Sequence, residues 1–508
     1  MKQFLLVLLL VWCLTQQSFS QFISIPISFG SGRPSVSSFV VDSGRLMTIK
    51  LKHGTTSSSP NVKTALTFAE ITLYNPALQV IGQSSCSISM QSYPVKVVVD
   101  SEGYGILFYS DTQADIHMLT IHRNGTVANL MRMSVHYRFG DITLFSNPQE
   151  KGFYLVHPKK KKVSQIQKFD LNGHLFWANE LQTARYGKIG DLMSGIENNI
   201  LRFDYSPKDG IERNLIQINT MDGSIVSNTP FYQKAAKTEK ENILTNVVVK
   251  DSLIYQMGIY FEKGSKKHKH DGLFLTATNI KGDKLFTHYY AVDSQIASLL
   301  PKDTMREETS KILPNFLIPT QQGLILCAET VDKVPKGNFA VGMASGIALG
   351  MIGIPLAIMP QGGAYKVQDM LFFSFNAGGQ LEKITRVDKY TSFKTTPMPV
   401  NEVAIDLLDA FSVFDASSYQ KDDTRSMYHV LLKENPAKNQ GMPRISCISI
   451  DQQGRSFQLK ARMLTDLIVE EKKIRSIDWL MLPNGDVLLQ YLSKDNLHLS
   501  KIPLEEFQ

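Results

Sequence analysis

A two-strand phrase returns about every fifty residues, no Pro-, Gly- or Ser-rich linker divides the 508 residues, and short strand-like runs fill the text between phrases. These observations predict an all-β ring of repeated units, a β-propeller. The expected form is seven four-stranded blades closed by N- and C-terminal strands, with one apolar Gly-rich insertion.

The chain begins "MKQFLLVLLLVWCLTQQSFS". Lys2 forms a short basic region, Phe4 to Leu14 is apolar, and Ser18 and Ser20 are small residues before a cut. This reads as a secretory signal peptide over 1–20, too short to persist as a span. A lipoprotein reading fails because Trp12 precedes Cys13. The protein is then expected in the periplasm, or outer-membrane-associated or extracellular. Residues 21–67 read as a lead-in with a possible outer strand, and 68–508 as the propeller. "GSGRPSVSS" (30–38) reads as part of that flexible lead-in.

The phrases carry the fold. "DIHMLTIHRNGTVANLMRM" starts at Asp115, "SQIQKFDLNGHLFWANEL" at Ser164 and "RNLIQINTMDGSIVSNTPF" at Arg213. "GLFLTATNIKGDKLFTHYY" starts at Gly272, "DMLFFSFNAGGQLEKITRV" at Asp369, and "RISCISIDQQGRSFQLKARM" at Arg444. A degenerate copy starts at Phe68. In each, an alternating segment ends at His122, Asp170, Asn279, Asn376 or Asp451, whose side chain can hydrogen-bond a turn. A glycine follows (Gly125, Gly173, Gly282, Gly379, Gly454) that can take the positive φ of a short hairpin. The copy ending at Gly223 has one extra residue. Measured from Ala77, the first steps are 48, 48 and 50 residues. The C-terminal half-unit (476–504) has no hairpin after it, and the N-terminal hairpin (68–85) has no half-unit before it. Joined, they would complete one blade. Stacked sheets or two sandwiches are the competing architecture.

The phrase "KFDLNGHLFWANEL" and the leader ending "SFSQ" resemble exported β-propeller-like repeat proteins of unassigned function from Bacteroidota. The resemblance spans most of 68–504 and concerns blade turns alone; it implies no catalytic residue. A C-terminal sorting domain is not apparent in "LSKIPLEEFQ", which favours the periplasm.

Removal of Lys2 with the leader lowers the net charge from +7 to +6. That mild surplus, without a basic stripe interleaved with aromatics, gives no nucleic-acid partner. Cys86, Cys327 and Cys447 sit in strand-like runs and read as packing residues, with one disulfide as the alternative. No nucleophile elbow, phosphate loop or metal spacing occurs, and no cofactor is implied. "KKHKHD" offers His268, His270 and Asp271 but reads as a solvated basic loop. A basic patch, Lys159, Lys160, Lys161 and Lys162, could meet anionic headgroups or glycans. Asp115, Asp141, Asp191, Asp369 and Asp478 lie near strand starts, where carboxylates could face a central funnel. They give the alternative function, an enzyme acting on glycans or peptides.

The insertion, 334–367, contains "FAVGMASGIALGMIGIPLAIM", 21 residues without a charge. As a helix it would reach about 31 Å, with Gly342, Gly346 and Gly350 at membrane-packing spacing. Blade strands on both sides oppose a single crossing, which would split one blade across a bilayer. Pro355 could break a helix after Gly353. The segment is therefore expected to pack on the propeller, or to meet a membrane or partner from one side; a true span would require the propeller reading to fail. Its candidate contact residues are Phe339, Val341, Met343, Ile347, Leu349, Met351, Ile352, Ile354, Leu356, Ile358 and Met359. The function expected is a non-catalytic binding or scaffold protein of the bacterial cell envelope. Its partner would be an envelope protein, a glycan or a membrane surface; the oligomeric state is left open.

Overall fold

A computed structural model describes residues 21–26, 29–30, 33–34, 36–42, 44–59, 62–89, 92–110, 115–134, 142–160, 163–182, 188–208, 212–233, 240–263, 270–300, 311–333, 363–389, 392–396, 419–422, 425–434, 444–454, 457–463, 476–482, 485–492 and 496–504. The chain opens with Gln21–Pro26 (β1) and a short pair, Phe29–Gly30 (β2) and Arg33–Pro34 (β3). Blade one follows with Val36–Val40 (β4), Leu46–Ser59 (β5), Val62–Tyr74 (β6) and Val80–Ser89 (β7). Blade two has Ser92–Val99 (β8), Gly103–Ser110 (β9), Asp115–His122 (β10) and Val127–Ser134 (β11). Blade three has Thr143–Ser146 (β12), Phe153–Lys160 (β13), Val163–Phe169 (β14) and Leu175–Gln182 (β15). Blade four has Lys188–Glu197 (β16), Ile200–Lys208 (β17), Glu212–Asn219 (β18) and Ile225–Gln233 (β19).

Blade five has Lys240–Lys250 (β20), Leu253–Glu262 (β21), Gly272–Asn279 (β22) and Lys284–Ala291 (β23), then a helical turn over 292–299. Blade six has Lys311–Pro319 (β24), Gly323–Lys333 (β25), Gly363–Asn376 (β26) and Leu381–Val387 (β27). Ser392–Thr396 (β28) is added to the long β26. Blade seven has Tyr419–Asp422 (β29), Met427–Glu434 (β30), Arg444–Asp451 (β31) and Phe457–Met463 (β32). Blade eight has Ser476–Met481 (β33), Val487–Leu492 (β34) and Asn496–Ile502 (β35), with β1 antiparallel to β35 from Gln21↔Lys501 to Pro26↔Asn496.

The propeller is thus confirmed, but the expected seven blades are corrected to eight. The N-terminal hairpin and the C-terminal half-unit do not share a blade. Residues 36–67, read as a lead-in, hold β4, β5 and the start of β6, which complete a blade around the 68–85 hairpin. The C-terminal strands form a sheet of their own, and β1 supplies its outer strand. That last pair comes from opposite chain ends, so no turn marks it and counting hairpins misses it.

The apolar core is divided among the gaps between blades. Among the described residues eight buried clusters occur, one for every seam. The decisive one joins blade eight to blade one: Leu482, Leu488, Leu497 and Leu499 meet Val36, Leu46, Tyr74 and Leu78. Sheets buried on both faces explain nearly continuous apolar runs, such as β22, where every residue but the last is buried. The first strands of blades two to six neighbour one another in series, from β8 to β24, and form the inner ring.

The turn glycines serve two purposes. Gly223 has φ +75°, and a Cβ there would strike the Trp177 ring on blade three's outer strand. Gly379, at φ +76°, sits in the same way against Phe286 of blade five. The turns therefore close hairpins and also seat each blade on the one before. Of the expected turn acceptors, Asp170, Asn279 and Asn376 do bond the turn backbone. In the first full phrase that task falls to Asn124 Oδ1, which accepts from Thr126 N, and not to the side chain of His122.

Candidate interaction face

Because neighbouring strands alternate in direction, connections fall on two faces. First-to-second and third-to-fourth connections share one, the turn face; second-to-third and blade-to-blade connections share the other, the loop face. Turn-face connections are short, as at Asn198–Asn199 and Asp251–Ser252, where positive φ values close the bend. The long connections all belong to the loop face: 301–310, 334–362, 397–418, 435–443 and 464–475. The start of β1 and the end of β35 lie together on the turn face.

The turn face is pinned seam by seam. Arg123 of blade two pairs with Asp42 of blade one and donates to Asp100 O. Lys168 and the Trp177 indole, on blade three, both donate to Thr220 O of blade four, at 3.0 and 3.1 Å. Asn179 Nδ2 donates to Gly223 O at 2.5 Å. Tyr290 and His288 of blade five donate to Gly379 O and Gly378 O of blade six. Tyr428 donates to Pro319 O at 2.6 Å between blades six and seven.

The apolar candidates, Phe339 to Met359, lie outside the described residues, but both ends of their segment are fixed. The chain leaves β25 and returns in β26, its direct neighbour, with Asp332↔Lys366 and Lys333↔Tyr365 in register. The 334–362 connection therefore starts and ends at one place on the loop face. Of the basic candidates, Lys159 is exposed on β13 and ion-pairs with Glu180 at 2.8 Å. Lys160 ends that strand, while Lys161 and Lys162 lie outside the described residues. The β13–β14 connection is also a loop-face connection.

Residues 264–269 make another, but His270 does not belong to a solvated loop. It is buried, and its Nε2 donates to Ile312 O of blade six at 2.6 Å. Burial pulls its pKa down to about 4, against the opposing pull of that bond. Its neighbour Asp271 accepts from Glu262 N.

The aspartates expected at a funnel do not share a position. Asp191 and Asp478 lie on inner strands, β16 and β33, with Asp191 in the out-of-register stretch between Ile189 and Ser194. Asp115 and Asp369 lie on third strands, about 10 Å farther out at ordinary strand spacing. Asp369 is buried and pairs with Arg386 Nε at 3.1 Å. Asp141 lies outside the described residues.

One polar line escaped the sequence reading. In blade seven, His429 Nδ1 and Ser449 Oγ share a hydrogen bond of 2.9 Å, and His429 Nε2 stands 3.5 Å from Asp422 Oδ2. Arg425 donates to the same carboxylate oxygen at 2.9 Å. Burial pushes the Asp422 carboxyl up, but the Arg425 bonds outweigh it and hold it below its usual range. Burial pulls His429 down, against the attraction of Asp422. The residue types match a nucleophilic triad, yet Ser449 is 6% exposed within the blade. The arrangement holds three strands together. No sequence signal marks it, because the partners meet across strands and not along one. Among the described residues no group of three or more His, Cys, Asp or Glu could hold a metal ion. No disulfide occurs among them either: Cys327 and Cys447 are buried, and Cys86 is half-buried with its thiol pushed up to about 11 by desolvation. No helix among them is long and apolar enough to cross a membrane.

No family model matches the chain, and no curated protein matches it. Solved structures are similar in fold. The polysaccharide lyase Uly1 has 10% identity and a TM-score of 0.42, covering 95% of this chain and 99% of that one. A protein from Lactobacillus plantarum has 10% identity and a TM-score of 0.37, covering 82% and 94%. Prolyl oligopeptidase B from Galerina marginata has 7% identity and a TM-score of 0.40, covering 90% of this chain and 54% of that one. At these values the likeness assigns no activity to this chain.

Proposed function

We propose that this protein is a non-catalytic binding or scaffold protein of the cell envelope, which uses its loop face to engage a partner or membrane surface. The carrying observation is the segregation of connections. The strands that flank the apolar 334–362 segment and the two basic runs all break off at the loop face, opposite the pinned turns. Apolar residues beside lysines suit a surface that is apolar within and anionic at its edge. Export by residues 1–20 belongs to the same reading.

Because Lys333 and Tyr365 are paired, a Gly-Asn-Gly turn in place of 334–362 can join β25 to β26. The shortened protein is expected to keep its melting temperature within a few degrees. It should lose at least tenfold of its envelope association in fractionation, along with the partners captured by the full chain. Unchanged fractionation and unchanged partners in a folded variant would refute the reading.

A further inference from the structure

A groove of about 670 Å³ runs along the outer seam of blades five and six. One wall is Thr287 to Tyr290, four successive residues of β23. Successive strand side chains point to opposite faces, so four in a row can line one cavity only along the strand's edge. Among the described residues that edge is unpaired, since β23 ends its sheet and bonds to β22 alone. The other wall is the helical turn, through Gln295, Ser298 and the exposed Leu299, with Gln380 and Leu381 of blade six at one side. No lining residue is an Asp, Glu, Lys or Arg. Gln295 Oε1 accepts from Ala291 N at 3.0 Å, and no protein partner among the described residues holds its Nε2.

Most outer strands here are blunted against strand addition. β11, β15, β27 and β32 carry charges, and β19 and β1 carry Pro230 and Pro26. Only β7 and β23, past its first residue Lys284, have neither. On β7, Gly82 is covered by the Gly125 turn of the next blade; on β23 the corresponding Gly379 turn meets the Phe286 and His288 rings, and the edge from Thr287 to Tyr290 borders the groove.

We infer that this groove takes an extended, uncharged peptide segment of a protein partner as an added strand on β23. Alternate residues of an antiparallel edge turn their N–H and C=O outward, so Thr287 and Tyr289 would pair with a peptide strand of about four residues, roughly 13 Å long. Leu299 would receive an aliphatic side chain, and the amides of Gln295 and Gln380 would hold the far side of the peptide backbone. Its helical wall opens the blade-five-to-six connection, so the site lies on the outer rim beside the loop face and does not include the 334–362 segment.

The test pans a phage-displayed random dodecapeptide library against the immobilised full-length chain, then measures the enriched synthetic peptides by calorimetry and amide hydrogen exchange. Enriched uncharged peptides should slow exchange in 285–291, and N-methylation at alternate peptide positions should weaken them at least tenfold. Leu299→Asp, at an exposed position that leaves the core intact, should weaken them similarly. No enrichment over a control protein, binding without protection of β23, or indifference to Leu299→Asp would overturn the inference. So would binding of maltohexaose or cellohexaose in the groove to the exclusion of peptides.

Discussion

Two glycines separate crowding from conformation. Gly223→Ala must hold a Cβ at φ +75° against Trp177, so it should cost about 2–4 kcal/mol in urea unfolding, from backbone strain and overpacking together. Gly195, on β16, has nothing within 4 Å of a built Cβ and no positive φ; Gly195→Ala should change stability by less than about 1 kcal/mol. Equal costs at both sites would contradict the seam-seating account. His270 gives the pH dependence. Its folded pKa, about 4, lies below the ordinary 6.5, so the unfolded chain takes up the proton first as pH falls. The stability is whole above pH 6.5 and declines by about 3 kcal/mol down to pH 4. His429 and His157, also pulled down by burial, act in the same direction. In His270→Gln, the slope of unfolding free energy between pH 6 and 4.5 should fall by about one proton; an unchanged slope would remove His270 from the account.

At the scale of the element, local chemistry was legible and cross-strand chemistry was not. The Asx-Gly hairpins follow from residues within six positions of one another, and Asp170, Asn279 and Asn376 perform the expected bonds. The His429–Ser449 contact joins residues twenty apart through a register the sequence does not display. The blade seams were hidden for the same reason: Asn179 looks like any polar residue on an outer strand until Gly223 O arrives from the next blade. Asn179→Ala should cost about 1 kcal/mol by chemical denaturation, with the β14–β15 hairpin intact by hydrogen exchange. No loss would mean that the Asn179 bond adds nothing to the apolar cluster and the Lys168 and Trp177 bonds at this seam. The loop-face candidates were legible as composition, since a 21-residue apolar run needs no fold to be noticed. Their common face needed the strand order.

For the whole molecule, periodicity gave the class of fold and missed one blade, because the eighth sheet takes its strands from both ends of the chain. Antiparallel alternation brings the ends of every long connection to one face. Closure fills the last seam with Leu482, Leu488, Leu497 and Leu499 against blade one. The most direct test is a disulfide trap across the closing pair. Ile23 and Leu499 are register partners, and antiparallel partners lie about 4.5–5.5 Å apart at Cα, within disulfide reach. Oxidised Ile23→Cys/Leu499→Cys protein should yield the cross-linked 23–499 peptide in high yield by mass spectrometry. Absence of that cross-link in folded protein, or capture of position 23 by a cysteine placed on another blade, would contradict the eight-bladed ring.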